Sequence, residues 1–276
     1  MACIGCERAI DLNLDSNPNK LVIEGLITNG PGPYTVTARS TTTYSARDSS
    51  NAGLPLQGAT LEIVDDLGNH YSLQERSPGN YLTDSATFHG VIGRSYSLSI
   101  LTTSGKYYVS KPEQLLVAPP IDSIYFTKSI PRPDSTDANS ENLVYRVYID
   151  YTDPIKIINF YRWRVAVGGV VAPGVDVDKD QFQDGRKITG KYVGGGMLSP
   201  DKDHVVLQVQ QLSLTQEAYR FWNNVKTESD PSNNAPYDTP PAPLIGNLYN
   251  PNDPTDYVLG YFEVSGVSTL EITVRK

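Results

Sequence analysis

Apolar and polar residues alternate with period two along most of this chain, and that pattern predicts β-strands. Lys20–Asn29 is rich in β-branched residues and ends on the breaker cluster Asn29-Gly-Pro-Gly-Pro33. Tyr34–Arg39 alternates as a second strand, and Ser40–Asn51 reads as a long polar loop. In Ala59–Asp65, Leu61 and Ile63 share one face while Glu62 and Val64 share the other. Tyr96, Leu98 and Ile100 repeat the device within Ser95–Thr103. Strands at this spacing, separated by Gly, Pro and Asn turns, predict a β-sandwich of about seven strands.

Two prolines in Val117-Ala-Pro-Pro-Ile121 mark a connector, and a new sheet is expected from Ile121. Leu143–Tyr151 places Leu143, Tyr145, Val147, Ile149 and Tyr151 on one face. In Asn159–Val167 the core face is Tyr161, Trp163, Val165 and Val167, and Phe160, Arg162, Arg164 and Ala166 face away. Asp203–Gln211 alternates again. One segment, 213–228, has helical spacing instead: Ala218, Phe221, Trp222 and Val225 form a stripe. Ser213 is its expected cap, with Gln216 as reciprocal partner. Pro236, Pro240, Pro241 and Pro243 predict an extended strap, followed by strands over Tyr257–Val264 and Thr269–Val274.

The expected fold class is therefore all-β, with two β-sandwich domains of the immunoglobulin/fibronectin-like kind. Residues 1–19 form a tether, 20–118 the N-terminal sandwich, and 119–276 the C-terminal sandwich with its short helix and proline-rich strap.

A chain of 276 residues is long enough for two such cores. The net charge of -8 argues against nucleic acid, which needs a basic face. Tyrosine outnumbers phenylalanine by 18 to 6, which suits half-exposed sheet faces and, less simply, a contact surface for sugar or protein. The only cysteines, Cys3 and Cys6, sit at the front, so no disulfide braces the folded part.

Cys3-Ile-Gly-Cys6 has three readings. A redox pair needs a βαβ setting that is not visible, and a zinc site lacks its second pair of ligands. The third is the end of a lipobox, with Cys6 taking acyl chains; Cys3 fits that box poorly, and the apolar signal region expected before it is missing from a start read as shortened.

Other candidate chemistry is weak. Asp65 and Asp66 are adjacent at a hairpin tip and are expected to point apart into water, unlike a glycosidase pair. Asp176, Asp178 and Asp180 have the one-three-five spacing of a calcium loop, but Gln181 stands where Gly is needed and Lys187 where the bidentate Glu belongs. They are weak metal candidates, and no metal or cofactor is expected. Gly194-Gly-Gly196 has no following Lys-Ser/Thr and reads as a flexible loop, not a phosphate cradle. His70, His89 and His204 lie far apart in sequence.

Several segments together resemble a family of Bacteroidota lipoproteins called domain of unknown function 4249. They include Lys20–Tyr34, Gly93–Leu98, Gly105–Ser110, Tyr161-Arg-Trp-Arg164, Tyr219-Arg-Phe-Trp222, Pro240–Asn247 and Val258–Phe262. The resemblance implies an outer-membrane lipoprotein, anchored to the lipid bilayer through an acyl chain and encoded beside a TonB-dependent outer-membrane receptor. It supplies no catalytic residues. The resulting expectation is a non-enzymatic accessory to a TonB-dependent transporter in nutrient uptake. A glycan- or peptide-binding module is the alternative, and an enzyme with a site built from distant acids is a third.

Overall fold

The computed structural model describes residues 20–42, 53–129, 143–156, 158–180, 184–198, 204–229 and 242–275. Among the described residues the fold is all-β apart from one helix. The first group of strands begins with β1 (Leu21–Ile27), β2 (Thr35–Ser40), β3 (Leu54–Pro55), β4 (Thr60–Asp65) and β5 (His70–Ser77). Then come β6 (Asn80–Leu82), β7 (Ser95–Leu101), β8 (Tyr107–Ser110) and β9 (Glu113–Gln114). The second group is β10 (Ile121–Ser129), β11 (Leu143–Thr152), β12 (Phe160–Val167), β13 (Val170–Val171), β14 (Asp176–Lys179), β15 (Lys187–Leu198) and β16 (His204–Leu214). Helix α1 (Gln216–Glu228) follows, and β17 (Leu248–Tyr249), β18 (Leu259–Val264) and β19 (Gly266–Arg275) finish the chain.

The first body is one 11-stranded sheet, in the order β17-β8-β7-β4-β5-β6-β2-β1-β18, with β3 also paired to β2 and β9 to β7. Strand β5 bends it: Leu73 pairs with Leu61 on β4, and one residue later Gln74 pairs with Leu82 on β6. The two ends of the sheet nearly meet. Ahead of β17, Ile245 bridges Leu259, and the amides of Gly246 and Gly260 donate to Val258 and Leu244 at 3.2 and 3.1 Å. Glycine is required at this seam. A Cβ on Gly246 would stand 1.5 Å from the Gly260 carbonyl oxygen, and Gly260 itself has φ +79°.

This arrangement corrects the expected boundary at 118. β18 runs parallel to β1 over six paired residues, Val22 with Leu259 through Ile27 with Val264. Leu248, Val258, Phe262 and Val264 share a core with Ile23, Val36, Leu61, Ile63, Leu98 and Ile100. Alternation shows which side chains face a core, but it does not say which sheet the strand joins. The C-terminal strands therefore belong to both bodies.

The second body has two sheets, β10-β11-β15 and β13-β12-β16-β19, with β14 also on β12. Tyr145, Val147, Ile149 and Tyr151 of one share a core with Tyr161, Trp163, Val165, Val167, Leu207 and Val209 of the other. The faces read from the alternation are the ones buried, and each such side chain contributes about 1.5–3 kcal/mol by leaving water. Gly194–Gly196 is strand, not loop: it lies in β15, opposite Tyr145, Arg146 and Val147. A Cβ on Gly195 would be 1.8 Å from the Tyr145 carbonyl oxygen, so the run permits close pairing.

The bodies are fastened together by side chains on β16. Gln211 Nε2 donates to the Pro119 carbonyl at 2.9 Å, and Ser213 Oγ to that of Val117 at 2.8 Å. Ser213 is thus in the strand and not the helix cap. The cap is Thr215, whose Oγ1 accepts from the Ala218 amide at 3.2 Å. Ala218 and Phe221 are buried, packing with Val177 of β14 and Tyr261 of β18, so the helix covers the junction. Pro236, Pro240 and Pro241 lie outside the described residues. Among those described, no helix is long and apolar enough to cross a membrane.

Candidate functional site

A cleft runs between the bodies. It consists of two hollows, about 600 and 400 Å³, that share Glu24, Arg162, Arg164 and Trp222 in their walls. Glu24 comes from β1. Arg162 and Arg164 come from the outward face of β12, where alternation with Tyr161 and Trp163 turns them away from the core. Trp222 comes from α1.

Its floor is ionic. Glu263 on β18 is fully buried, with 0% exposure. Its Oε2 lies 2.9 Å from Arg162 Nη2 and accepts from Trp222 Nε1 at 2.7 Å, while Ser265 Oγ donates to Oε1 at 2.8 Å. The Arg162 guanidinium lies over the Trp222 ring, 4.0 Å from its centroid. Burial pushes the Arg162 pKa down, while the Glu263 carboxylate opposes that shift. Arg162 Nε is buried without a hydrogen-bond partner.

The rim is more open. Arg164 makes one long hydrogen bond, 3.4 Å, to Gln210 Oε1. Tyr192 is half exposed on the wall of the larger hollow, and Lys226 there pairs with Asp176 at 3.1 Å. The cleft therefore offers guanidinium donors, the acids Glu24, Asp176 and Glu263, and aromatic rings that include Trp222 and Tyr192. This set can hold an anionic or planar group against a fixed floor.

The residues singled out in the sequence scatter. Cys3 and Cys6 lie outside the described residues. Asp65 does not point into water as expected: it is 7% exposed and accepts from the Leu67 and Asn69 amides at 3.0 and 2.9 Å and from Asn69 Nδ2 at 2.9 Å. Arg94 lies 3.0 Å away and also pairs with Asp66. Burial raises the Asp65 pKa, but these partners outweigh it and hold the carboxyl below its usual range. Of the histidines, His70 Nδ1 lies 3.1 Å from Glu62.

Asp176, Asp178 and Asp180 do not converge as a loop would require. The first two lie on β14, where Asp176 meets Lys226 and Asp178 meets Lys191 Nζ at 2.6 Å. Asp180 instead joins Asp153 and Asp184, with one carboxylate oxygen of each within 4.8 Å of the others. Asp153 Oδ1 accepts from Tyr161 OH at 2.6 Å, and Oδ2 from the Gly185 amide at 3.4 Å. Burial, with the charge of Asp180, pushes the Asp153 pKa up against the Tyr161 hydrogen bond.

The cleft residues were in the sequence, but their meeting was not. The outward pair Arg162 and Arg164 beside Trp163 was a usable signal. Glu263 was not, because its burial depends on β18 crossing to the first body.

The chain belongs to the family described as domain of unknown function (DUF4249), which matches residues 7–271. No curated protein matches it. Lys20–Tyr34, Tyr161–Arg164 and Tyr219–Trp222, three segments that carried the resemblance, each supply a wall of the cleft.

Proposed function

We propose that this protein is a non-catalytic outer-membrane lipoprotein of Bacteroidota, anchored through acyl chains on Cys6 and accessory to a TonB-dependent transporter. On this reading its bodies are variants of the immunoglobulin-like sandwich, the first curled further toward a barrel. The observation that carries the proposal is the cleft. A fixed ionic floor beneath Trp222, Tyr192 and Arg164 has the residue types that dominate protein contact sites. The transporter, or cargo on its way to it, would occupy this groove. The test is recovery from membranes: the lipidated protein is expected to co-purify with a TonB-dependent receptor. Repeated recovery without any barrel protein would overturn the proposal.

A second reading, a glycan- or peptide-binding module, is favoured by the rings of Trp222 and Tyr192 lining one hollow. It expects a hit on a glycan array or peptide panel that weakens in Tyr192→Ala. Silence from both panels would remove it.

A further inference from the structure

The Asp153–Asp180–Asp184 cluster is distinct from the cleft and has an unbalanced charge. Asp180 is 5% exposed, and neither of its carboxylate oxygens has a hydrogen-bond partner. Those oxygens sit among two further carboxylates. A buried, unpartnered carboxylate beside like charges is strongly unfavourable unless a proton or a cation joins it. Nearby, the Asn159 carbonyl accepts from the Asp180 amide at 3.1 Å, and Asn159 Oδ1 is also buried without a partner. Among the described residues no ion pair is formed here by Lys156 or Lys179, although both line the adjoining hollow of about 360 Å³.

We propose that Asp153, Asp180 and Asp184 bind a calcium ion that clamps the two sheets of the second body. The donors are all hard oxygens, which calcium takes at about 2.3–2.6 Å. Oxygens on opposite sides of one such ion are about 4.8 Å apart, and the three carboxylates fall within 4.8 Å. The adjoining hollow leaves room for water to complete the shell. Asp153 follows β11 and Asp184 precedes β15, both in one sheet; Asp180 follows β14 in the other. The ion would therefore add a further tie between two sheets already joined at this end by the Tyr161–Asp153 hydrogen bond and the Lys191–Asp178 ion pair.

The site also explains why the spacing of Asp176, Asp178 and Asp180 misleads. Only Asp180 is a ligand, and its fellow ligands come from elsewhere in the chain.

The test uses the full chain, calcium and terbium. Calcium is expected to bind with a dissociation constant of about 10⁻⁴–10⁻³ M and to raise Tm by about 3–10 °C at about 10 mM. Terbium should give emission sensitised through Tyr161, which is hydrogen-bonded to Asp153. Asp180→Asn should lose both responses while melting no lower than the wild type in chelator, because it removes a buried charge. Two results would overturn the proposal. One is the absence of any calcium response in the wild type. The other is an Asp180→Asn variant that keeps the response, or that melts well below wild type in chelator, as expected if a lysine or a shared proton already balances Asp180.

Discussion

Two carboxylates illustrate what burial does to an acid in this protein. Glu263 is fully buried and balanced by Arg162, Trp222 and Ser265. Removing one member leaves the other charge stranded, so Arg162→Ala is expected to cost about 3–5 kcal/mol. Arg162→Met with Glu263→Gln should cost clearly less than the sum of the single changes, as read by denaturant melts of all four proteins. Additive losses would mean the pair is not coupled. Asp65 is held low by Asn69, Leu67 and Arg94 despite its burial. A depressed carboxylate stabilises the fold above its unfolded pKa, about 3.9, and that contribution is lost as pH falls through the lower folded value. Wild-type stability should therefore fall on acidification below about pH 4 more steeply than that of Asp65→Asn. Parallel acid profiles would contradict this. Neither role was legible locally. Asp65 looked like a hairpin-tip residue because its ligands come from the turn's own amides and from Arg94, a strand away.

At the scale of elements, the strands were readable and their partners were not. Period two identified the buried faces of β4, β7, β11 and β12, since the pleat alone dictates them. It could not show that β18 leaves the second body to lie parallel beside β1. Parallel pairing between the two ends of a chain has no turn signature. Glycine was ambiguous for a related reason: Gly194–Gly196 suits a loop or a close strand pair equally well, and only the Tyr145 carbonyl decides between them. The helix start moved by two residues because β16 takes Ser213 for its bond to Val117. The crossing has a direct consequence. A fragment of residues 20–118 lacks β17 and β18, and with them Leu248, Val258, Phe262 and Val264 of its core. It is expected to show no cooperative thermal transition, whereas the whole chain does. A fragment that melts cooperatively would restore the boundary at 118.

At the scale of the molecule, this crossing builds the cleft. β18 carries Glu263 to the junction, β12 brings Arg162 and Arg164, and the helix lays Trp222 against the Arg162 guanidinium. The linker at Val117 and Pro119 is pinned by Ser213 and Gln211, so the groove stands between bodies held in fixed relation. A preformed groove loses little freedom when a partner binds, which favours a role in contact. Arg164 is the residue with which to probe it, because it lines both hollows and is not part of the buried floor. The decisive measurement is co-purification of lipidated wild-type protein and Arg164→Glu from native membranes, with Tm recorded for each. The account predicts a TonB-dependent receptor with the wild type, and its loss in the variant at unchanged Tm. A wild type that brings down no barrel protein, or a variant that retains the receptor in full, would contradict it.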